Sequence, residues 1–376
     1  MRYVLIGIFL LFFSCESESN SFDPILMALE SEDSKITKVV TNWDAHEVQI
    51  KLSIIERIGD SLIFQEFEHE VNDSNYFYPA SSVKFPVAVL AVEKLEQQGR
   101  FHIDTPFFVE GDTAFTTFRH DIRDIFAVSS NDTYNRLFEY LGKDYINEKL
   151  KEKGLQPGRI SHRLSTVEAD ELTTRPIVFM EDSILTVSDP IINKPIETFE
   201  LNRLMKGKGF YSQGELVSEP MDFSEKNYLP VSTLHEMMKR INFPELYSKK
   251  QQFKLSDTYR NFLLEAMAIY PRDEGYTSDE YYDGYGKFFI YGDTKESIPD
   301  HMTIRNKVGY AYGYLTDCAY IKDSKNNIEY ILTATIHVNA DGIFNDDVYE
   351  YDEIGLPFLA EFGRELHQIL MERKHP

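Results

Sequence analysis

Apolar and polar residues alternate in four segments of this chain, two near its start and two near its end. Residues 48–57 and 61–67 show the alternation, and Gly59-Asp60 between them marks a turn. The pattern therefore predicts a β-hairpin at this point. Two more strands are predicted at 315–323 and 328–338, which are joined by a short polar turn.

Helical patterns occupy much of the chain between these strands. Residues 81–98 are apolar nearly all round, which is typical of a buried helix, and 119–154 is rich in helix signals. A closing helix at 357–372 is apolar on one side only. Together the patterns predict an α+β fold in which the N- and C-terminal strands form one antiparallel sheet. Helices flank this sheet, and a helical subdomain lies between the strands.

The chain begins with the pattern of an export signal. Arg2 precedes a run of ten residues, 4–13, that is apolar except for Gly7. As a helix this run would span about 15 Å, which is half of a membrane's hydrocarbon core, so it is better read as a signal peptide. The following Ser14-Cys15 resembles the lipobox of bacterial lipoproteins, which implies cleavage before Cys15 and its acylation. The alternative is an ordinary secretory signal in which Cys15 is incidental.

Composition narrows the function classes. The 376 residues carry 39 Lys and Arg against 62 Asp and Glu, giving a net charge of −23. We therefore expect no nucleic-acid partner, since phosphate binding needs clustered positive charge. A hydrophobic content of 42% excludes a mainly disordered chain. Only Cys15 and Cys318 are present, so no disulfide framework is possible. The His residues include no pair at metal-ligand spacing, and neither a metal nor a cofactor is predicted.

A tyrosine-rich, acidic segment lies at residues 270–300. It can act as a lid or sugar-stacking surface with aromatic and acidic side chains. It can equally be an insertion that packs its own rings onto the body of the protein, which is the commoner arrangement.

Ser81 and Lys84 are the first candidate catalytic pair. They lie three residues apart where the buried helix begins, so both side chains share one face of its first turn. The helix dipole there favours negative charge on the Ser81 oxygen. A partly desolvated Lys84 has a lowered pKa and can accept the Ser81 proton.

Two further motifs contain residues suited to the same chemistry. Ser129-Ser130-Asn131 precedes a helical run and could be no more than a helix N-cap. Lys307-Val308-Gly309 lies at the start of the C-terminal strand pattern, where Gly would let a ligand approach the strand closely. Alternatively it is an edge-strand lysine followed by a bulge glycine.

Taken together, the three motifs resemble the active-site set of the penicillin-recognising serine hydrolases: Ser-x-x-Lys, Ser-x-Asn and Lys-Thr/Ser-Gly. The chain looks most like the branch that contains class A β-lactamases, in an envelope lipoprotein form, over residues 45–370. The resemblance implies that Ser81 is the nucleophile, that Lys84 activates it, and that Ser129 relays a proton to the leaving nitrogen.

The resemblance also implies a substrate-binding set. Asn131 would hold the substrate amide, and Lys307 would receive a carboxylate. The backbone N–H groups of Ser81 and Tyr310, next to Gly309, would form the oxyanion hole. The acidic surface should repel anionic substrates at long range unless Lys307 and the neighbouring Arg305 dominate locally.

Two residues depart from the family pattern. Val308 stands where Thr or Ser is usual and removes a hydroxyl that would bind the substrate carboxylate. No Glu between 132 and 206 is followed four residues later by Asn, the pair that positions the deacylating water in class A enzymes. Glu168 or Glu171 could serve as that base, or both could be solvated acids on a surface loop.

These observations predict a domain organisation and a function. Residues 1–15 form a lipoprotein signal peptide, 16–44 a tether and leading segment, and 45–376 a β-lactamase-like hydrolase domain. We expect an envelope lipoprotein that acts through an acyl-enzyme on an amide or ester, either a β-lactam or a peptidoglycan-like substrate. The alternatives are a weakly active or inactive penicillin- or peptidoglycan-binding lipoprotein, and an esterase.

Overall fold

The computed structural model describes residues 22–59 and 61–374. The predicted signal peptide, Cys15 and residues 16–21 of the predicted tether lie outside the described residues. The α-helices of the described part are α1 (Pro24–Leu29), α2 (Ser34–Val40), α3 (Trp43–His46), α4 (Lys84–Gln98), α5 (Phe118–Ala127), α6 (Asn131–Leu141), α7 (Lys143–Glu152), α8 (Val231–Asn242), α9 (Asp257–Met267) and α10 (Leu356–Lys374).

The strands of the described part are β1 (Gln49–Ile58), β2 (Ser61–His69), β3 (Phe107–Val109), β4 (Ile177–Glu181), β5 (Ile184–Val187), β6 (Met205–Lys206), β7 (Gly209–Ser212), β8 (Glu215–Val217), β9 (Met221–Asp222), β10 (Met302–Ala311), β11 (Tyr314–Asp323), β12 (Ile328–His337) and β13 (Ile343–Phe344). Short 3₁₀ helices occur at Ala80–Val83, Pro244–Leu246 and Pro271–Glu274, and a π-helical turn at Tyr351–Gly355 leads into α10.

A five-stranded antiparallel sheet joins the two ends of the chain in the order β10-β11-β12-β1-β2. Both predicted hairpins are present, and β1 pairs with β12 so that the N-terminal hairpin continues the C-terminal one. The prediction of an α+β fold built on one sheet from both termini is therefore confirmed.

The strand that carries Lys307 is longer than the sequence pattern suggested. Lys307 lies in the middle of β10, which begins at Met302, and not at the start of the strand pattern. The buried positions of this strand include Asn306 and Lys307 beside apolar residues such as Ile304 and Val308. Buried polar side chains break the alternation that a half-buried strand normally shows, so the pattern failed here.

Two large cores lie on opposite faces of the sheet. One surrounds α4, whose side chains from Lys84 to Val92 are all buried, as its all-round apolar pattern predicted. This helix packs against α5, α6 and α7 in the helical subdomain, while α8 covers the same face of the sheet. The second core holds the apolar side of α10 against the other face.

The leading segment contains three short helices that the sequence patterns did not predict. Asp23 and Asp33 cap the first two by accepting backbone hydrogen bonds, and Ile25, Ala28 and Val39 are buried in the α10 core. Helices of four to seven residues are too short to show a helical period, which is why the pattern missed them. No helix within residues 22–59 and 61–374 is long and apolar enough to cross a membrane.

Candidate active site

Ser81 lies in the short 3₁₀ helix that leads directly into α4. Ala80, immediately before it, adopts a left-handed φ of 46°, an uncommon conformation for a residue with a side chain. Ser81 is half-buried and lines a cavity, and within the described part of the chain its hydroxyl has no hydrogen-bond partner. The hydroxyl is thus available to a molecule that enters this cavity.

Lys84 is completely buried at the first turn of α4. Its Nζ donates to the backbone oxygen of Ser129, to Ser129 Oγ at 3.3 Å and to Asn131 Oδ1 at 2.7 Å. Burial is the main cause that holds the pKa of Lys84 well below its usual value, and the positive charge of Lys307 adds to it. Lys84 therefore favours the neutral amine more than an exposed lysine does.

The segment between α5 and α6 presents Ser129 and Asn131 to Lys84. Ser129 has a left-handed φ of 57°, and its hydroxyl contacts Lys84 and Lys307. The helix-cap interpretation applies to Ser130, whose hydroxyl accepts from the Thr133 N–H at 3.4 Å. The local motif thus serves two purposes, capping α6 and lining the cleft.

Lys307 meets the same serine from the sheet side. Its Nζ donates to Ser129 Oγ at 2.8 Å and to Val308 O at 2.9 Å. Burial lowers the pKa of Lys307 to about 7, although the carboxylate of Asp317 opposes this effect. Two lysines with lowered pKa values therefore contact a single serine hydroxyl.

A buried polar network lies behind Lys307. Asn306 Nδ2 donates to Asp317 Oδ1 at 2.9 Å, and Lys287 Nζ donates to Asn306 Oδ1 at 2.9 Å. Burial raises the pKa of Asp317 to about 6 and lowers that of Lys287 to about 8. Lys287 belongs to the tyrosine-rich segment, which therefore takes part in the electrostatics around Lys307. Sequence reasoning missed this network, since no motif links its members.

Gly309 sets the distance between strand β10 and the 3₁₀ helix. A Cβ at this position would lie 2.7 Å from Ser82 N and 2.8 Å from Ser81 N, and it would also overlap Pro79 O. No side chain fits such a gap, so only glycine lets the strand approach the Ser81 backbone this closely.

The hairpin that follows sets the direction of the Tyr310 N–H. Tyr312 and Gly313 both have positive φ, at 54° and 75°, which is the pattern of a two-residue type I′ turn. In such a hairpin Ala311 and Tyr314 form the closing hydrogen-bonded pair, so Tyr310 opposite Leu315 is a non-hydrogen-bonded pair. The Tyr310 N–H therefore points to the open edge of the sheet, where Ser81 lies.

Two cavities adjoin at Tyr310 and Tyr351 and together form one cleft. The loop-side cavity, about 570 Å³, is lined by residues that include Ser81, Asn131 and Ser165. The insertion-side cavity, about 380 Å³, is lined on one wall by Ser129, Lys307 and Val308, and on the other by residues of the tyrosine-rich segment and of the turn before α10. Both volumes suit a small-molecule ligand.

Comparison with known proteins identifies the family. A model of the β-lactamase enzyme family matches residues 61–266, which is more than half of the chain. The chain belongs to the β-lactamase enzyme family. This membership supports a serine-hydrolase-like function in general. A comparison with curated protein sequences found no match.

Three solved structures share the β-lactamase fold. A crystal structure of L2 complexed with relebactam has a TM-score of 0.52 and 14% identity, and it covers 92% of this chain and 98% of its own. A β-lactamase from Sphaerobacter thermophilus has a TM-score of 0.53 and 12% identity, with coverages of 92% and 95%. A β-lactamase from Burkholderia vietnamiensis has values of 0.52 and 11%, with coverages of 90% and 97%. At this distance the similarity shows the fold.

The loop at residues 164–172 contains the acids considered as deacylation bases. Glu168 and Glu171 are both exposed, and neither belongs to the lining of the loop-side cavity. Ser165 lies there instead, and its Oγ accepts from Asn131 Nδ2 at 3.0 Å. The structure thus does not bring the Glu168 side chain to the motif residues.

Buried Arg163 fixes the position of this loop through hydrogen bonds. Its guanidinium forms a bidentate pair with Glu139 at 2.8 and 2.9 Å and also donates to backbone oxygens of the loop. Arg305 makes no comparable contribution to the cleft. It donates to Asn242 Oδ1 at 2.9 Å and lines neither cavity, so of these two residues Lys307 is the one that faces the insertion-side cavity.

The tyrosine-rich segment contains residues that pack onto the body of the protein and residues that line the cleft. Phe288, Phe289 and Ile290 are buried in the α10 core, as expected of an insertion that packs onto the body. Tyr282 and Tyr285 line the insertion-side cavity. Sequence reasoning found the aromatic character of this segment but not which rings face the cleft, because the segment has no regular period.

Proposed function

We propose that this protein is a serine acyl hydrolase that forms a covalent acyl-enzyme on Ser81. Its substrate is an amide or ester with a nearby carboxylate, of the β-lactam or peptidoglycan-like class. The observation that carries the proposal is the buried Lys84, which contacts Ser129 and Asn131. Ser81 lies three residues before it, and its hydroxyl has no hydrogen-bond partner within the described part of the chain. Burial without a carboxylate partner disfavours the charged form of this lysine, as a proton acceptor requires.

Acylation follows from these contacts. A neutral amine has two N–H donors, so deprotonated Lys84 gives up one of its three hydrogen bonds and offers a lone pair to Ser81. Ser81 Oγ transfers its proton to Lys84 and forms a bond to the substrate carbonyl carbon. The N–H groups of Ser81 and Tyr310 stabilise the resulting oxyanion.

Collapse of the tetrahedral intermediate breaks the bond to the leaving nitrogen or oxygen. Ser129 Oγ donates its proton to that atom and regains one from Lys84, whose Nζ is 3.3 Å away. Lys84 thereby returns to its neutral form, and the proton taken from Ser81 ends on the leaving group. Protonated Lys307, on the same hydroxyl at 2.8 Å, binds the substrate carboxylate and favours loss of the Ser129 proton.

The second step, hydrolysis of the acyl-enzyme, has less support from the cleft. Glu168 is exposed, and Asn131 donates to a serine instead of a carboxylate. This favours a second candidate function, a penicillin- or peptidoglycan-binding protein whose acyl-enzyme persists.

Intact-protein mass spectrometry with a fluorescent penicillin tests both candidates. We expect an adduct on the wild type and none on Ser81→Ala, whereas the matched control Ser130→Ala, which removes the helix-capping hydroxyl, should still label. A long-lived adduct supports the penicillin-binding candidate, and turnover without an adduct supports a β-lactamase. Equal labelling of wild type and Ser81→Ala would refute Ser81 as the nucleophile.

The proposed location is the bacterial cell envelope, with a lipid on Cys15. The lipobox-like Ser14-Cys15 after a short apolar run supports it. In a bacterial host, labelling with an alkyne fatty acid should mark the full chain, and Cys15→Ser should abolish the label. Equal labelling of the two chains would exclude lipidation at this cysteine.

A further inference from the structure

The insertion-side cavity combines aromatic walls with charges of both signs. Tyr282, Tyr285 and Tyr310 supply aromatic surface, and Lys307 supplies a buried positive charge on the wall formed by β10. Two acids, Glu280 and Asp352, also line this cavity. A cavity for a purely anionic ligand would not place carboxylates in its lining, because like charges disfavour binding.

The two acids come from separate parts of the chain. Glu280 belongs to the tyrosine-rich segment, and Asp352 to the π-helical turn before α10. Both are exposed, and neither has a hydrogen bond or ion pair with another residue in the described part of the chain. Burial is the main cause that raises the pKa of Tyr310, and the negative charges of Glu280 and Asp352 add to it, so both acids act on the ring shared by the two cavities.

We propose that the insertion-side cavity is a subsite for a leaving group that carries both a carboxylate and a positively charged amine. The inference rests on the proposed function, because Ser129 and Lys307 identify this side of the cleft as the leaving-group side. Lys307 binds the carboxylate at the buried wall. Glu280 and Asp352 attract the amine at the exposed lining, where it also lies against tyrosine faces.

This arrangement discriminates among ligands of the same size. A zwitterion pairs with Lys307 through its carboxylate and with the two acids through its amine. An isostere with an uncharged group in place of the amine loses the attraction to the two acids. A dicarboxylate places its second anion near Glu280 and Asp352 and is repelled. The absent hydroxyl at Val308 weakens recognition of the carboxylate, so the amine supplies a larger share of the affinity.

Equilibrium binding to Ser81→Ala protein tests the subsite without any chemical step. The probes are the meta and para isomers of aminomethylbenzoate, which carry a carboxylate and a positively charged amine. In the neutral match, hydroxymethylbenzoate, an uncharged hydroxyl replaces the amine. In the anionic match, benzenedicarboxylate, a second carboxylate replaces it. Calorimetry at about pH 6 keeps Lys307 protonated, since its pKa is about 7. We expect one zwitterionic isomer to bind about five- to tenfold more tightly than its neutral match, the sum of two exposed ion pairs.

Matched variants locate the effect. Glu280→Gln together with Asp352→Asn should bring the zwitterion-to-neutral ratio close to 1. Glu296→Gln removes an exposed acid from the same segment that does not line the cavity, and it should leave the ratio unchanged. A ratio near 1 in the parent protein, or a ratio unaffected by the double variant, would overturn the proposal.

A parallel kinetic assay separates this inference from the proposed function. The substrates are thioesters, and the leaving thiol of each carries either the aminomethylbenzoate group or the hydroxymethylbenzoate group. The kcat/KM of the wild-type protein is compared between these two substrates. Acylation without the preference overturns the subsite and leaves Ser81 chemistry standing. Selective binding by Ser81→Ala protein without acylation of the wild type supports a site for zwitterions, and refutes both the hydrolase and the leaving-group role of that site.

Discussion

Replacement of Gly309 by alanine should separate the strand from the nucleophile without removing any functional side chain. The new Cβ would lie 2.7 Å from Ser82 N and 2.8 Å from Ser81 N, whereas ordinary van der Waals contact begins at 3.4 Å. These distances fall short by 0.7 Å and 0.6 Å, and the Cβ would lie closer still to Pro79 O, so strand and helix must separate by at least 0.7 Å.

This separation acts directly on the oxyanion hole. The N–H groups of Ser81 and Tyr310 lie on opposite sides of the gap, so a hydrogen bond of about 2.9 Å to the oxyanion would lengthen to about 3.6 Å. Loss of one such donor lowers an acylation rate by about 10²- to 10³-fold. Global stability should fall by only about 1–3 kcal/mol, the usual cost of overpacking.

The assay is the acylation rate by a fluorescent penicillin or a thioester, combined with thermal unfolding of the same protein. Gly158→Ala is the matched control, because the one tight contact of its Cβ would be with the end of the Leu229 side chain, at 3.2 Å, while backbone atoms lie at ordinary contact distance. That control should acylate like the wild type. If Gly309→Ala also acylated within about threefold of wild type, the claim that Gly309 sets the oxyanion-hole spacing would be wrong.

Four further predictions test the electrostatics of the cleft. The KM for a carboxylate-bearing substrate should be constant at low pH and rise as pH increases through about 7, because Lys307 then loses the proton that attracts the carboxylate. A KM that does not change with pH would contradict this. Asp317→Asn removes the charge that supports protonated Lys307, so the rise should begin at lower pH, and a fall of about 1 in that pKa raises KM at pH 7 about fivefold. Arg163→Met removes the ion pair between Arg163 and buried Glu139, so the free energy of unfolding should fall by about 3 kcal/mol in chemical denaturation. A change below about 1 kcal/mol would mean that the pair is dispensable. Glu168→Gln should alter the acyl-enzyme lifetime by less than about twofold in stopped-flow measurements, and a tenfold lengthening would establish Glu168 as the base.

Several local features could be predicted because they depend on neighbouring residues alone. The hairpin β1–β2 and the buried helix α4 follow from period-2 and all-round apolar patterns, and the structure contains both. Strand β10 was recognised only in part, because Asn306 and Lys307 are polar yet buried. Their burial depends on Asp317 and on the distant Lys287, which no window along the sequence includes.

The deacylation base shows a different limit of sequence reasoning. Glu168 has a suitable residue type and lies in a suitable stretch of the chain. Its exposure, however, depends on the position of the loop, which Arg163 fixes through its pair with Glu139. Residue type indicates which chemistry is possible, whereas the direction of a loop side chain is set by contacts with other segments.

The sequence by itself determined the family and the sheet built from both chain ends, because motifs and hydrophobic periods are local properties of the chain. It also predicted that Ser81 and Lys84 share one face of a helix, since they lie three residues apart. Only the tertiary structure decided that Lys307 lies 2.8 Å from Ser129, a residue 178 positions earlier in the chain. It also decided that both lysines are desolvated and that two acids line the leaving-group side of the cleft. Such features depend on burial and on distances between segments, and these arise only when the sheet and the helical subdomain pack together.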